Sequence, residues 1–209
     1  MLSEAVRIRF SKTGKVKFIS HLDLCRTFRT AFIRAGIPIW YSQGFNPHPK
    51  MVFATTVPVG GESLCELLDI KITSPMDEEE FKARLSSALT KDIGILGVYT
   101  PLRPFAELAY AEYRMELDAP VDPEKLSGLL TGELKVMKKT KNGDKLVDIL
   151  PLIESASAFG NTLNCILAAS QTMALGPDVF LRGIKPACPG DLISLMRTAV
   201  LTADLAPFE

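Results

Sequence analysis

The sequence predicts an α+β fold of two tandem ferredoxin-like (βαββαβ) units with antiparallel sheets. Its 209 residues, 47% of them hydrophobic, are enough for two cores of roughly 100 residues each. The first half shows the order strand, helix, strand, strand, helix, strand, which is the split β-α-β motif, and the second half shows a looser copy of it. We therefore place an N-terminal domain with a basic face at residues 1–103 and a C-terminal domain at residues 108–209. Pro104 interrupts the pattern in the linker between them.

In the first half, the clearest elements are the first strand and the helix after it. Hydrophobic residues alternate with Arg7 and Arg9, as a half-buried strand requires. Ser20 is the predicted N-cap of the helix, with Asp23 completing an acidic variant of the capping box, and the helix should stop at Gly36. After it, the predicted elements are short strands at 38–42, 51–58 and 64–73, a helix at 77–90 and a strand at 95–102.

The second half is predicted from weaker signals. Asn142-Gly143 is a type I′ turn sequence and indicates a hairpin. The last segment is assigned to a strand, although it could instead be helical. The predicted elements are strands at 108–118, 133–139, 145–150, 162–169 and 191–202, with helices at 123–130 and 177–183.

The formal net charge of zero hides an asymmetry along the chain. The first fifty residues hold nine of the 24 basic side chains and two of the 24 acidic ones, so they sum to +7 and the rest to −7. This division indicates an anion-facing surface on an otherwise acidic body. The expected partner is a phosphate-rich polymer or an acidic protein.

Three arginines, Arg26, Arg29 and Arg34, share the face of the first helix opposite its apolar residues. A solvated helix face is the alternative interpretation, but further cations lie nearby in sequence without acidic neighbours. The residues predicted to bind nucleic acid or another anion are Arg7, Arg9, Lys12, Lys15, Lys17, Arg26, Arg29, Arg34, Asn46 and Lys50.

A constrained loop carries the second histidine. Pro47 and Pro49 bracket His48 in S-Q-G-F-N-P-H-P-K, and this stiffness lowers the entropy lost on binding a ligand. Phe45 in the same loop either fills the core or stacks on a base. His21 and His48 are the candidate catalytic residues, as general acid or base. The alternative for His21 is a structural histidine, and the alternative for the loop of His48 is an ordinary rigid crossover between strands.

Composition also indicates the cellular compartment of the protein and whether the chain holds a metal or a cofactor. No apolar stretch approaches the roughly 20 residues that span a bilayer, and the first residues lack the apolar middle of a signal peptide, so we expect a cytoplasmic protein. The four cysteines are far apart and form neither CxxC nor CxxxCxxC. We interpret them as buried thiols and expect neither a metal nor a cofactor in this chain.

Six motifs between residues 7 and 70 carry a resemblance to a known family. They are R-x-R-F-x-K-x-G, F-I-S-H-L-D-L-x-R, R-A-G-I-P, Y-S-Q-G-F-N-P-H-P-K, F-A-x-x-x-P-V-G-x-E-S and E-L-L-D-I. The chain resembles the bacterial radical-SAM-linked family of unknown function, whose members are encoded beside, or fused to, a radical SAM protein. The family-type positions that this resemblance implies are Arg7, Arg9, Lys12, Gly14, Ser20, His21, Asp23, Arg26, Ser42, Gly44, Phe45, Asn46, Pro47, His48, Pro49 and Lys50. Among them, the expected structural positions of the motif are Ser20, Asp23, Gly44, Phe45, Pro47 and Pro49.

A more distant similarity is to the CRISPR repeat-processing endoribonucleases, which pair two ferredoxin-like units and commonly place a histidine near the first helix. His21 has a comparable place. The chain lacks the clear glycine-rich loop that those enzymes carry near the C-terminus, and Gly183 and its neighbours are a weak substitute. The similarity is a likeness of fold only.

Three functions follow as hypotheses. The first is an accessory RNA-binding module that presents tRNA or ribosomal RNA to a radical SAM partner, which would perform the chemistry. The second is a metal-independent endoribonuclease that uses His21 or His48. The third is a structural adaptor whose basic face docks on an acidic protein. We do not expect the chain to be an enzyme on its own.

Overall fold

The computed structural model describes residues 1–2, 4–140 and 143–208, with the backbone alone for residues 139 and 140. These residues form a mixed α/β protein with four α-helices and mostly antiparallel sheets. They divide into two compact units, Met1–Phe105 and Ala106–Phe208. No helix among them is long and apolar enough to cross a membrane.

The described residues of the first unit form four strands and two α-helices. They are β1 (Ala5–Lys12), α1 (His21–Arg34), β2 (Met51–Phe53), β3 (Glu62–Lys71), α2 (Glu78–Ala88) and β4 (Ile93–Tyr99). Its strands lie in the order β4-β1-β3-β2, and every neighbouring pair is antiparallel.

One face of this sheet packs against the two helices. Phe10 of β1 meets Phe28 of α1 edge to face, with ring centroids 4.8 Å apart, and Phe81 of α2 is fully buried in the same core. Phe28 and Phe32 lie on the buried side of α1 because residues four apart share a helix face. Burying each such ring contributes roughly 1.5–3 kcal/mol, which fixes α1 on the sheet.

Local signals set both ends of α1. The Ser20 hydroxyl accepts the Asp23 N–H at 3.1 Å, which confirms the predicted N-cap. The helix ends at Arg34, and Gly36 then takes a left-handed φ of 62°, which glycine adopts without steric cost. In α2, the Asp77 carboxylate caps the N-terminus in the same way.

Two predicted strands of the first unit differ from the structure. Residues 38–42 form only isolated bridges, from Ile39 to Ile72 and from Tyr41 to Pro49. The strand predicted at 51–58 is the three-residue β2, and Pro58 beyond it has no N–H to donate to a ladder.

The second unit has six strands and two helices. They are β5 (Tyr110–Leu117), α3 (Pro123–Leu129), β6 (Lys135–Thr140), β7 (Gly143–Asp148), β8 (Ile153–Phe159), β9 (Thr162–Ala168), α4 (Pro177–Gly183) and β10 (Leu192–Leu201). Four strands form an antiparallel sheet in the order β10-β5-β9-β8, while β6 and β7 form a separate ribbon.

The strand β8 of this unit was not predicted from the sequence. Its residues Ile-Glu-Ser-Ala-Ser-Ala-Phe are mostly small or exposed, so the hydrophobic alternation that marks a strand is weak. The final segment is the strand β10, which excludes the helical alternative. In the predicted hairpin, Thr140 lies opposite Gly143, and Lys141 and Asn142 are outside the described residues.

Candidate nucleic-acid interface

The three predicted arginines of α1 are all exposed. The Arg26 Nη1 lies 3.0 Å from Asp23 Oδ1, so part of its charge is neutralised one turn away. Arg29 and Arg34 form no ion pair with any residue that the structure describes. They are therefore available to an anion from solvent.

An open groove of about 550 Å³ runs between the exposed side of α1 and the end of α2. Arg26 and Arg34 line it together with the hydroxyl-bearing residues Thr27, Thr30, Ser87 and Thr90. Asp23 also lines it. The Ser20 hydroxyl and then the Arg26 guanidinium lower the pKa of the Asp23 carboxyl, so Asp23 is ionised at neutral pH. The Thr27 and Ser87 hydroxyls already donate to backbone carbonyls. The groove thus offers phosphates its two guanidiniums and the hydroxyls of Thr30 and Thr90, with one carboxylate at its edge.

Arg7 is buried, and its guanidinium binds within the unit. Nε and Nη2 donate to the two carboxylate oxygens of Asp69 at 2.7 and 2.8 Å, and Asp69 lies opposite Arg7 in the β1–β3 ladder. Arg9 is half-buried. For Arg7 the structure corrects the prediction of an anion-binding side chain, because its acidic partner comes from a strand that is distant in sequence.

The three predicted lysines at the end of β1 and just after it differ in exposure. Lys15 is exposed, the Lys17 Nζ lies 3.7 Å from a Glu62 oxygen, and Lys12 is buried. The Glu62 carboxylate also accepts the Gly14 N–H, at 2.9 Å. A Cβ at Gly14 would lie 2.9 Å from the Asp92 side chain, and the residue has a φ of 58°, so the tight turn requires glycine here.

The constrained loop is closed by hydrogen bonds at its base and projects an aromatic ring at its tip. The Ser42 N–H donates to the His48 carbonyl at 2.8 Å, and the His48 N–H donates to the Ser42 hydroxyl at 3.0 Å. Phe45 is fully exposed, which excludes the alternative that it fills the core. The other exposed residues of the loop are Gln43, Gly44, Asn46, Pro47 and His48, with Lys50 just after it.

His21 lies at the first turn of α1 and is exposed. Its ring meets Phe53 of β2 edge to face at 4.9 Å, and its Nε2 lies 3.6 Å from the Cys25 Sγ. No hydrogen bond or ring contact joins it to His48 in the part of the chain that the structure describes. The two candidate histidines therefore do not form a directly bonded pair.

The imidazole of His21 lines a cleft of about 200 Å³ at the start of α1, which we call the α1 cleft. Two charged residues, Lys12 and Glu66, line it although only 4% and 1% of their surfaces are exposed. Sequence reasoning missed Glu66. The signal for it was a carboxylate inside the apolar run of β3, a position where a buried charge needs a specific role.

The cysteine thiols are largely withdrawn from solvent. Three cysteines are buried and Cys25 is half-buried, and the four form no disulfide with one another. Burial raises the pKa of the Cys25, Cys165 and Cys188 thiols, which disfavours the reactive thiolate. Among residues 1–2, 4–140 and 143–208, no three His, Cys, Asp or Glu side chains converge to hold a metal ion.

The comparison with protein families gives one match. A family model described as an uncharacterized protein conserved in bacteria (DUF2344) matches residues 5–177. This range covers α1 with its exposed arginines, the constrained loop and the α1 cleft. No curated protein matches the sequence.

Proposed function

We propose that this chain, which belongs to the bacterial DUF2344 family, is an accessory RNA-binding module that works with a radical SAM partner in RNA modification or processing. The observation that carries the proposal is the set of exposed cations of the first unit. Four of them, Lys15, Arg29, Arg34 and Lys50, are exposed and form no ion pair among the described residues. If these four cations served internal salt bridges, carboxylates would lie beside them.

The charge of the first unit supports a polyanionic partner. Residues 1–105 contain 14 basic and ten acidic side chains, a formal charge of +4, although the whole chain is neutral. Lysine and arginine that contact phosphates release condensed counterions, which supplies most of the sequence-independent affinity for nucleic acid. The groove between α1 and α2 is open enough for an extended backbone.

The exposed ring of Phe45 favours RNA over an acidic protein. Single-stranded loops and bulges present unstacked bases, and proteins bind these by stacking aromatic side chains on them. Asn46 and Lys50 place an amide and an ammonium close to this ring in sequence. Structured RNA such as tRNA or ribosomal RNA offers both the phosphates and the unstacked bases.

The radical SAM partner in this proposal is inferred from the family resemblance. The sequence contains no CxxxCxxC motif, so the iron–sulfur cluster and the radical chemistry would belong to the radical SAM protein. The present chain would then position the RNA.

We also propose that both units are ferredoxin-like. Along the chain, each unit has the order strand, helix, strand, strand, helix, strand once the β6–β7 ribbon is treated as an insertion. In space, the sheet orders β4-β1-β3-β2 and β10-β5-β9-β8 are equivalent, which supports the same fold for both units.

RNA retention across a salt series tests the proposal. The purified protein is mixed with total small RNA, and the retained RNA and its ends are sequenced. If six to eight cations contact phosphates, log affinity should fall against log salt with a slope of about −4 to −7. A salt-insensitive complex, or no retention at low salt, would contradict RNA binding and leave the acidic-protein adaptor.

His21 supports a second candidate, a metal-independent endoribonuclease. An exposed imidazole beside buried Lys12 and Glu66 could act as general acid or base on a phosphodiester. New uniform RNA ends in the presence of a chelator would favour this function. A His21→Ala variant that cut RNA at the wild-type rate would exclude His21 from it.

A further inference from the structure

We propose that the β6–β7 ribbon of the second unit is a further contact for the RNA, in which Lys138 and Lys145 bind the sugar–phosphate backbone. The inference rests on the proposed function and adds a site to it outside the first unit. Because the contact is with phosphates, it increases affinity and orients the RNA without selecting a sequence.

The ribbon concentrates positive charge in an acidic half of the chain. Residues 106–209 contain ten basic and 14 acidic side chains, a formal charge of −4. Half of the basic ones lie between residues 135 and 145, where Asp144 is the single acidic residue. This segment therefore has a formal charge of +4, and the rest of the range has −8. A basic segment on an acidic body directs a polyanion to that place.

The strand register sets two lysines directly against each other. Lys138 lies opposite Lys145 in the β6–β7 ladder. Lys135 and Lys139 each lie opposite an aspartate instead. Residues directly opposite in an antiparallel pair have Cβ atoms about 4.5–5.5 Å apart, and like charges at these positions destabilise the pair. An anion beside the two ammonium groups would remove this repulsion, so the register favours the bound state.

Both ammonium groups are available to a ligand. Lys138 and Lys145 are exposed, and neither forms an ion pair with any residue that the structure describes. By contrast, Lys125, Lys135 and Lys185 of the same unit each pair with a carboxylate, at 3.1, 2.5 and 3.4 Å. The charge of the two opposed lysines is therefore not neutralised within the described part of the chain.

The base of the ribbon is fixed to the rest of the unit. The Asp148 carboxylate accepts two backbone N–H groups there, at 3.0 and 3.1 Å. Val136 is buried, and a Cβ at Gly183 of α4 would lie 3.1 Å from its Cγ2, so the glycine lets α4 approach the ribbon closely. Lys138 follows Val136 on the same side of the strand, nearer the tip. An anchored base reduces the entropy that the ribbon loses on binding.

The chemistry of a lysine pair suits a nucleic-acid backbone better than a protein surface. An ammonium is a compact charge with three donors, and it binds phosphate without the planar geometry that a guanidinium requires. A nucleic-acid strand repeats a phosphate at every nucleotide, so neighbouring ammonium groups can each contact one. Lysine is depleted in protein–protein interfaces, which makes an exposed pair a weak anchor for an acidic protein.

Acetylation of lysine side chains tests the contact at single residues. The full chain is acetylated at low reagent concentration with and without total small RNA, and mass spectrometry measures the rate at each lysine. Lys138 and Lys145 should react several times more slowly when RNA is bound, because a phosphate covers the amine. The rates at Lys125 and Lys185 should not change. No slowing at the opposed pair, or equal slowing at all four lysines, would overturn the inference.

Neutralising the opposed pair should weaken RNA binding and lower its salt dependence. The double variant Lys138→Gln/Lys145→Gln should reduce the magnitude of the salt slope by about 1.4–1.8, which corresponds to two phosphate contacts. The matched control is Lys125→Gln/Lys185→Gln, which removes the same charge from the same unit at lysines that are already paired. Equal salt slopes for the two double variants would contradict the contact.

A charge reversal separates a binding role from a structural one. Lys145→Glu places opposite charges across the ribbon, so the melting temperature should stay unchanged or rise. RNA affinity should nevertheless fall about tenfold or more at about 0.1 M salt, because repulsion replaces a phosphate contact. Wild-type affinity would overturn the assignment. If the melting temperature falls, the acetylation rates of the wild-type protein decide.

The outcomes distinguish this inference from the proposed function. RNA retention with wild-type behaviour of every ribbon variant would overturn the ribbon contact and leave the proposed function intact. No retention by the wild-type protein at low salt would contradict both. Slower acetylation of Lys138 and Lys145, together with the lowered salt slope of their double variant, would support the ribbon as a contact for RNA.

Discussion

The guanidinium of Arg7 binds Asp69 through two parallel hydrogen bonds, from Nε at 2.7 Å and from Nη2 at 2.8 Å. Nη2 also donates to the carbonyl of Arg103 at 2.9 Å, and the guanidinium lies 4.2 Å from the centre of the Phe105 ring. The first strand is thereby joined to the last residues of its own unit. The motif that carries Arg7 is thus structural at this position, and the anion-binding surface that we propose lies elsewhere on the unit.

Replacing the carboxylate of this pair should destabilise the first unit. Asp69→Ala leaves the fully buried Arg7 guanidinium without its carboxylate, and breaking a buried ion pair costs about 3–5 kcal/mol. Urea unfolding measures the loss. Lys71→Ala, which removes the exposed pair with Glu4, is the matched control and should change the midpoint far less. Equal midpoints for the two variants would contradict the structural role.

Removing the exposed arginines of α1 should weaken RNA binding and lower its salt dependence. Arg29→Ala and Arg34→Ala should each reduce the magnitude of the salt slope by about 0.7–0.9 if one phosphate contact is lost. Filter binding across a salt series measures both quantities. Arg84→Ala on α2 is the control, because Arg84 is already paired with Glu80. A slope unchanged in all three variants would place the RNA elsewhere.

The ring of Phe45 should contribute to RNA affinity without contributing to stability. Because the side chain is fully exposed, Phe45→Ala should leave the melting temperature unchanged. Loss of one base–aromatic stack should cost about 1–3 kcal/mol of RNA binding, and Phe45→Trp should retain the affinity. Phe159→Ala removes another exposed ring, from the second unit, and should have no effect on RNA. An equal loss in both alanine variants would argue against stacking at the loop.

The elements predicted correctly are those whose signals are local. The N-cap at Ser20, the helix stop at Gly36 and the apolar side of α1 are each determined within a few residues. The buried pair of Arg7 could not be found this way, because Asp69 is 62 residues away and its relevance depends on strand register. A pattern of alternation identifies the two faces of a strand, but it does not say which face another chain segment covers.

The same limitation applies to the candidate site. The sequence indicated that the loop is constrained, but Phe45 is exposed because the hydrogen bonds between Ser42 and His48 close the loop before it reaches the core. The residues of the α1 cleft come from the end of β1, from 19–24, from the segment 56–59 and from β3, so only the folded sheet brings Lys12 and Glu66 to one place. Long-range register therefore decides the α1 cleft, whereas the loop is closed by hydrogen bonds between residues that are only six apart.

Acid should weaken the second unit through the cap of α3. The Asp122 carboxylate accepts the N–H groups of Lys125 and Glu124 at 3.0 and 3.1 Å. The backbone and side chain of Lys125, with a smaller contribution from Glu124, hold the pKa of Asp122 below its ordinary value of 3.8. Because this pKa is lower in the folded state, the resulting stability is fully present above pH 3.8 and is lost as the pH falls through the folded value.

In Asp122→Asn the side-chain oxygen can still cap the helix but cannot titrate. Melting temperatures from about pH 6 to about pH 2 should therefore fall less steeply for the variant than for the wild-type protein. Asp144→Asn, at an exposed position of β7, is the control, and parallel curves for all three proteins would contradict this role of the cap.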